Sequence, residues 1–132
     1  MPDIETTTTN DEKFTSENHL GEYELDIDAQ GRTGPSPNHV LVADYAACFT
    51  FAFRAGAMRS DYDDLGQIQT EAEANLDDED DLTDVQFTML VEAELSADEV
   101  DDLLAKAEDI CHVHAALREE LHADVTVESG AF

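Results

Sequence analysis

Two cysteines, Cys48 and Cys111, have the most chemistry to offer in this 132-residue chain. A protonated thiol is inert, whereas a thiolate is a nucleophile, a reductant and a metal ligand. Cys48 sits between Ala47 and Phe49 in the most apolar stretch of the sequence, Ser36 to Arg59. Cys111 falls on the apolar stripe Val100, Leu103, Leu104, Ala107, Ile110, Cys111. Two such thiols form a redox pair if they meet, and two inert core residues if they do not. His112 and His114 beside Cys111 raise a third reading, zinc or copper binding. Neighbours on a helix point about 100° apart, so Cys111 and His112 are poorly placed to share one ion. No metal and no cofactor is expected. His19 and His122 read as solvated surface residues.

Both cysteines depend on helices for their placement. Ser36 can cap the first helix and Pro37 suits its first turn. Val40, Leu41, Val42, Tyr45, Phe49, Phe51, Phe53 and Met58 then put apolar side chains on every side, the mark of a helix buried in a core or a membrane. Asp44 and Arg54 leave only nine residues between them, well short of the roughly 20 a membrane span requires. With no basic signal-peptide region at the N-terminus, the expectation is a cytoplasmic core helix with no membrane partner. A chain of this size has a modest core, so a second subunit is expected to cover part of that helix. The second helix opens on the capping box Ser96-Ala97-Asp98-Glu99, and Val113, Leu117 and Leu121 continue its apolar stripe.

Strands fill the remainder. Residues 1–12 are polar and Thr-rich and are expected to fray, leaving one domain over 13–132. Lys13–Leu20 reads as a short edge strand. Glu22–Asp28, Gln67–Leu76 and Asp84–Leu95 alternate apolar and polar residues, and Asp124–Glu128 is a short last strand. The Asp77–Asp81 run lacks the glycine and terminal glutamate of a calcium loop and reads as a solvated turn of a hairpin. The order strand, helix, hairpin, helix, strand predicts an α+β fold with an antiparallel sheet wrapped on two helices. Helices in contact run about 8–10 Å apart, and small residues (Ala46, Ala47, Ala107) would let the two cysteines approach within the roughly 7 Å between Cα atoms that a disulfide allows.

The charge excludes some partners. Thirty-three acidic residues against six basic ones give a net charge of -27. Such a surface repels nucleic acid and anionic membranes. The acids are spread along the chain and Lys13 and Lys106 are its only lysines, the pattern of a surface adapted to high salt rather than of a dock for one basic partner.

The segment TGPSPNHVLVADYAACF, followed downstream by AEDICHVHAAL, resembles the OsmC/Ohr family of osmotically inducible and organic-hydroperoxide-resistance proteins. The shared features are a Gly-Pro-x-Pro start to the helix, small residues ending in Ala-Cys, and a later cysteine, over roughly residues 22–128. The resemblance implies an intertwined homodimer with sites at the subunit interface, and thiol-dependent reduction of hydroperoxides in oxidative-stress defence. It gives Cys48 the peroxidatic position and Cys111 the resolving one, with an external dithiol as reductant. An arginine oriented by a glutamate supplies the activating cation in that family. Here Asn38 stands at the glutamate position, Arg32 is the basic residue close to the helix start, and Cys111-His112-Val113 replaces Cys-Pro-Val. The alternative is a non-catalytic dimer of the same fold that binds a small hydrophobic ligand at its interface.

Overall fold

The alternating and helical patterns become, in a computed structural model describing residues 2–62 and 64–132, a chain of strands β1 (Thr6–Thr9), β2 (Thr15–Leu20) and β3 (Tyr23–Asp28), helix α1 (Pro37–Arg59), strands β4 (Ile68–Leu76) and β5 (Leu82–Val91), helices α2 (Ala97–Ile110) and α3 (His112–Ala116), a short 3₁₀ turn (Glu119–Leu121) and strand β6 (Asp124–Ser129). Two compact units result, residues 1–41 and 42–132.

The first unit is an antiparallel sheet in the order β1-β2-β3. The Thr-rich segment expected to fray is instead β1, paired with β2 from Thr6 opposite Leu20 to Thr9 opposite Glu17. Four β-branched residues suit a short exposed edge strand, and their polarity hid it. β2, expected at an edge, therefore lies in the middle. After β3 the Asp28 carboxylate orders the turn, accepting from the backbone N–H groups of Gln30 (2.8 Å), Thr33 (3.0 Å) and Arg32 (3.3 Å). Those bonds hold its pKa below the ordinary carboxylate value, the Gln30 amide contributing most. Gly34 is required here: a Cβ would stand 2.6 Å from the Asp26 carbonyl oxygen. Ser36 then caps α1, its Oγ accepting the His39 N–H at 3.2 Å.

The second unit carries the core. β4 and β5 form the expected hairpin, with Ile68 opposite Val91. Alternation along β5 buries Leu82, Val85, Phe87, Met89 and Val91, which meet Tyr45, Phe49, Ala52 and Phe53 of α1 and Leu103 and Ala107 of α2. The Ser96 capping box is complete: Glu99 N–H donates to Ser96 Oγ (3.2 Å) and Ser96 N–H to Glu99 Oε1 (2.9 Å). The α+β class holds, with two departures in detail. β6 runs parallel to β5, Phe87 opposite Val125 and Met89 opposite Val127, because the chain returns through α2 and α3, and a long helical crossover makes parallel pairing feasible. Nor is α1 buried all round. Phe51 (70% exposed) and Met58 (75%) face outward, since sheet and α2 cover only one side. By length and composition α1 would pass for a membrane span, although only 39% of its apolar window is buried; Tyr45, Phe49 and Phe53 on its other side are wholly in the core.

Candidate redox site

Tyr45 and Cys48 lie one turn apart on α1, so both project to the same side of the helix. Tyr45 is buried to 1% exposure, while Cys48 remains half-buried. Cys111 reaches the same place from a break in the second helical segment. Its backbone leaves the helix (φ -67°, ψ 113°), ending α2 and starting α3. No proline causes this. The Cys111 N–H still closes α2 on the Ala107 carbonyl (2.9 Å), and its sulfur opens α3 by accepting the His114 N–H (3.4 Å).

The two side chains, remote in sequence, come close enough to act on each other. Both are free thiols, and Cys48 is among the groups that raise the Cys111 pKa. Cys111 is pushed up from the ordinary 9.0 to about 11, mainly by burial. The amides of His114 and Val113 pull it down, and nearby Cys48 raises it again. No cation is among the groups acting on it. Arg54, the arginine nearest Cys48 in sequence, is engaged elsewhere, with the Gly66 carbonyl (2.6 Å) and Asp64 (3.7 Å). Arg32 is exposed in the first unit, its backbone N–H held by Asp28.

Aromatic rings gather around Tyr45, one turn from Cys48. Tyr45 lies edge-on to Phe87 (centroids 4.8 Å apart) and Phe49 (6.3 Å). Its hydroxyl accepts the Ala123 N–H at 2.9 Å and lies 2.6 Å from His114 Nδ1. Donation of the phenol proton to Nδ1 gives both groups a partner, and it puts the proton of the neutral His114 ring on Nε2. His122 stacks on His114, with centroids 3.8 Å apart and planes tilted by 24°. Its Nε2 faces the Leu117 carbonyl (3.1 Å), which can only accept, so that nitrogen carries the proton. His114 is held below its ordinary pKa first by burial, then by His122, with Glu108 opposing. Tyr45 is raised, chiefly by burial.

The expectation that His122 is a solvated surface residue is therefore corrected: it is half-buried in a stack. The Tyr45–His114–His122 group went unread because its members lie 69 and 8 residues apart; only the three histidines within eleven residues, at 112, 114 and 122, hinted at it. Metal binding at Cys111 and its neighbouring histidines gains nothing. Among the described residues the one group with converging ligand atoms is Glu17, His19 and Glu24. There His19 already bonds Glu17 at 2.8 Å, on the surface.

Known proteins resemble this chain in sequence and in fold. Residues 29–126 match the family described as OsmC-like protein. An uncharacterized protein of Haloferax volcanii is 51% identical over the full length of both chains. The fold matches an OsmC-like protein from Mycoplasma pneumoniae with a TM-score of 0.84 at 14% identity, covering 97% of each chain. It also matches an organic hydroperoxide resistance protein OsmC from Legionella pneumophila, with a TM-score of 0.75 at 21% identity, over 97% of this chain and 98% of that one.

Proposed function

Since this chain belongs to the OsmC-like protein family, we propose that it is a thiol-dependent peroxidase that reduces organic hydroperoxides. The observation that supports the reading is the closeness of two free thiols, Cys48 and Cys111, at a core that also holds Tyr45, Phe49 and Phe87. The hydroperoxide resistance protein of like fold supports the substrate class. Cys48, the thiol that solvent reaches, is the peroxidatic residue. Its thiolate attacks the distal oxygen of R–O–O–H; the O–O bond breaks, Cys48 becomes a sulfenic acid, and the alkoxide leaves as an alcohol after taking a proton. Cys111, held protonated beside it, is the resolving residue. Its sulfur displaces hydroxide from the Cys48 sulfenic acid, its proton leaves in the resulting water, and a Cys48–Cys111 disulfide remains. An external dithiol then reduces that disulfide.

In this reading Arg32 supplies the cation that favours the Cys48 thiolate, from its own subunit or from a partner. The active form is a homodimer, for which the outward apolar face of α1 (Phe51, Met58) provides a surface. The protein works in the cytoplasm of an organism of high internal salt, in keeping with its acidity and its Haloferax relative.

The test is to mix reduced protein with cumene hydroperoxide at high salt and count free thiols. Both thiols are expected to vanish rapidly in the wild type and to persist in Cys48→Ser. Thiols that survive in the wild type at the uncatalysed rate would transfer the fold to the alternative reading, a dimer that binds a small hydrophobic ligand.

A further inference from the structure

His114 touches Cys111 through its backbone and is itself fixed through its ring. Its amide donates to the Cys111 sulfur (3.4 Å), and its ring is clamped between the Tyr45 hydroxyl (2.6 Å) and the His122 ring (3.8 Å between centroids). Neither contact is required by the attack of Cys48 on a peroxide, and no cysteine chemistry described above uses the histidines. We infer that His114 is a positioning residue for the resolving thiol, and that protonating its ring releases Cys111 from attacking distance of Cys48. The inference rests on the disulfide-forming reading of the two cysteines.

The reason lies in the proton count at Nδ1. With Ala123 donating to Tyr45 Oη, the phenol proton needs an acceptor, and neutral His114 is that acceptor. A proton added at Nδ1 sets two donors head to head. Tyr45, at 1% exposure, is shut off from bulk solvent, and a buried donor without a partner is costly. The groups facing His114 do not relieve this. Tyr45 on α1 is itself a donor; His122, after the 3₁₀ turn, stacks and repels a second cation; Cys111 on its own segment holds its proton. Glu108 on α2 alone favours the cation, and burial outweighs it. Protonation thus displaces the ring and pulls on the His114 backbone, whose amide, three bonds from the ring, fixes the sulfur. A competing effect has the opposite sign: a cation beside Cys111 would raise its thiolate fraction and speed its attack. The experiment separates the two.

The Cys111 step can be isolated without peroxide. One equivalent of methyl methanethiosulfonate at low pH places a methylthio group on the accessible Cys48, as peptide mass spectrometry would verify. After a pH jump, the Cys111 thiolate attacks the Cys48 sulfur; the bond to methylthio breaks, the Cys48–Cys111 bond forms, and methanethiol leaves with one proton gained. Acid quenching and intact mass give the rate from pH 5 to 8. Loss of thiolate alone lowers such a rate about tenfold per pH unit. The expected wild-type profile steepens below the ordinary histidine value of 6.5, towards about a hundredfold per unit because two protonations then act together. His114→Gln should keep the tenfold slope throughout. A wild-type slope of tenfold over the whole range, a rate above the thiolate line at low pH, or a steep limb that survives in His114→Gln each overturns the inference. Should His114→Gln not fold, the NMR titration of His114 in the wild type decides: its midpoint must coincide with the break in the rate profile, and a separate midpoint overturns the inference. Failure of the peroxidase reading would appear elsewhere, as thiols that ignore cumene hydroperoxide while this profile stands.

Discussion

Cys111 is subject to opposing influences, and their balance sets its behaviour with pH. Burial and nearby Cys48 favour the thiol, two amides favour the thiolate, and the first side prevails. Its pKa is therefore higher in the folded chain than the ordinary 9.0, at about 11. The sign follows from linkage: a group raised on folding contributes its full stabilisation below the ordinary value and loses it as pH climbs through the folded one. Stability of the reduced protein should accordingly decline between about pH 9 and pH 11. In Cys111→Ala that decline should be shallower, as denaturant midpoints at stepped pH would reveal; identical declines would show that Cys111 contributes nothing to it. The same imbalance bears on catalysis, because a thiol that keeps its proton resolves rather than attacks first. Cys111→Ser should leave a Cys48 sulfenic acid that a carbon nucleophile such as dimedone traps after peroxide treatment. Trapping at position 111 in Cys48→Ser instead would reverse the assigned roles.

The break between α2 and α3 is the element that brings the second thiol to the first. Had the helix continued through Cys111, the His114 N–H that now meets the Cys111 sulfur would have gone to the Ile110 carbonyl one turn back. Instead the sulfur becomes the acceptor that starts α3. His112 stands at the first position of α3, where the family carries proline; an amide there has no intrahelical duty, so a residue with an N–H is tolerated. Tyr45 fastens this break to α1. Tyr45→Phe would remove the acceptor of the Ala123 N–H and the donor to His114 at once, with an expected loss of about 1–3 kcal/mol. Ser96→Ala, at the other end of α2, should cost about 1 kcal/mol by undoing the capping box. Urea denaturation would measure both. Only Tyr45→Phe should also slow disulfide formation between the cysteines. Equal effects on that rate from the two substitutions would mean that α2 stability, not the Tyr45 clamp, matters.

For the whole molecule, charge and an uncovered face dominate. A net charge of -27 on 132 residues repels itself in dilute buffer. Salt shortens the range of that repulsion, from about 10 Å at 0.1 M to about 3 Å at 1 M. The melting temperature should therefore fall steeply as chloride is lowered from molar to 0.1 M, and a flat profile would refute an adaptation to high salt. Phe51 and Met58, both exposed on one side of α1, are the residues a partner subunit would cover. The double substitution Phe51→Glu and Met58→Glu should turn the proposed dimer into a folded monomer by sedimentation at high salt. A dimer that persists would place the subunit interface elsewhere.

Much of this protein can be read from local pattern, because local pattern reports local physics. Alternation at residues 82–91 marks a strand with one buried face, and Ser96 with Glu99 three residues on marks a helix start. Small residues ending in Ala-Cys, with a second cysteine far downstream, mark the family and the two thiols. What the order of residues leaves open is every relation that depends on which surfaces touch. Threonines 6–9 become a strand only because β2 lies alongside, and β6 turns out parallel only because two helices intervene. The apolar circumference of α1 is buried only where sheet and α2 reach it. His122 looks like any surface histidine until the chain folds it onto His114, and Tyr45 looks like core packing until Ala123 approaches its hydroxyl. Propensity and periodicity act within a few residues along the chain, whereas the approach of Cys48 to Cys111 spans 63 of them, and only tertiary packing could bring it about.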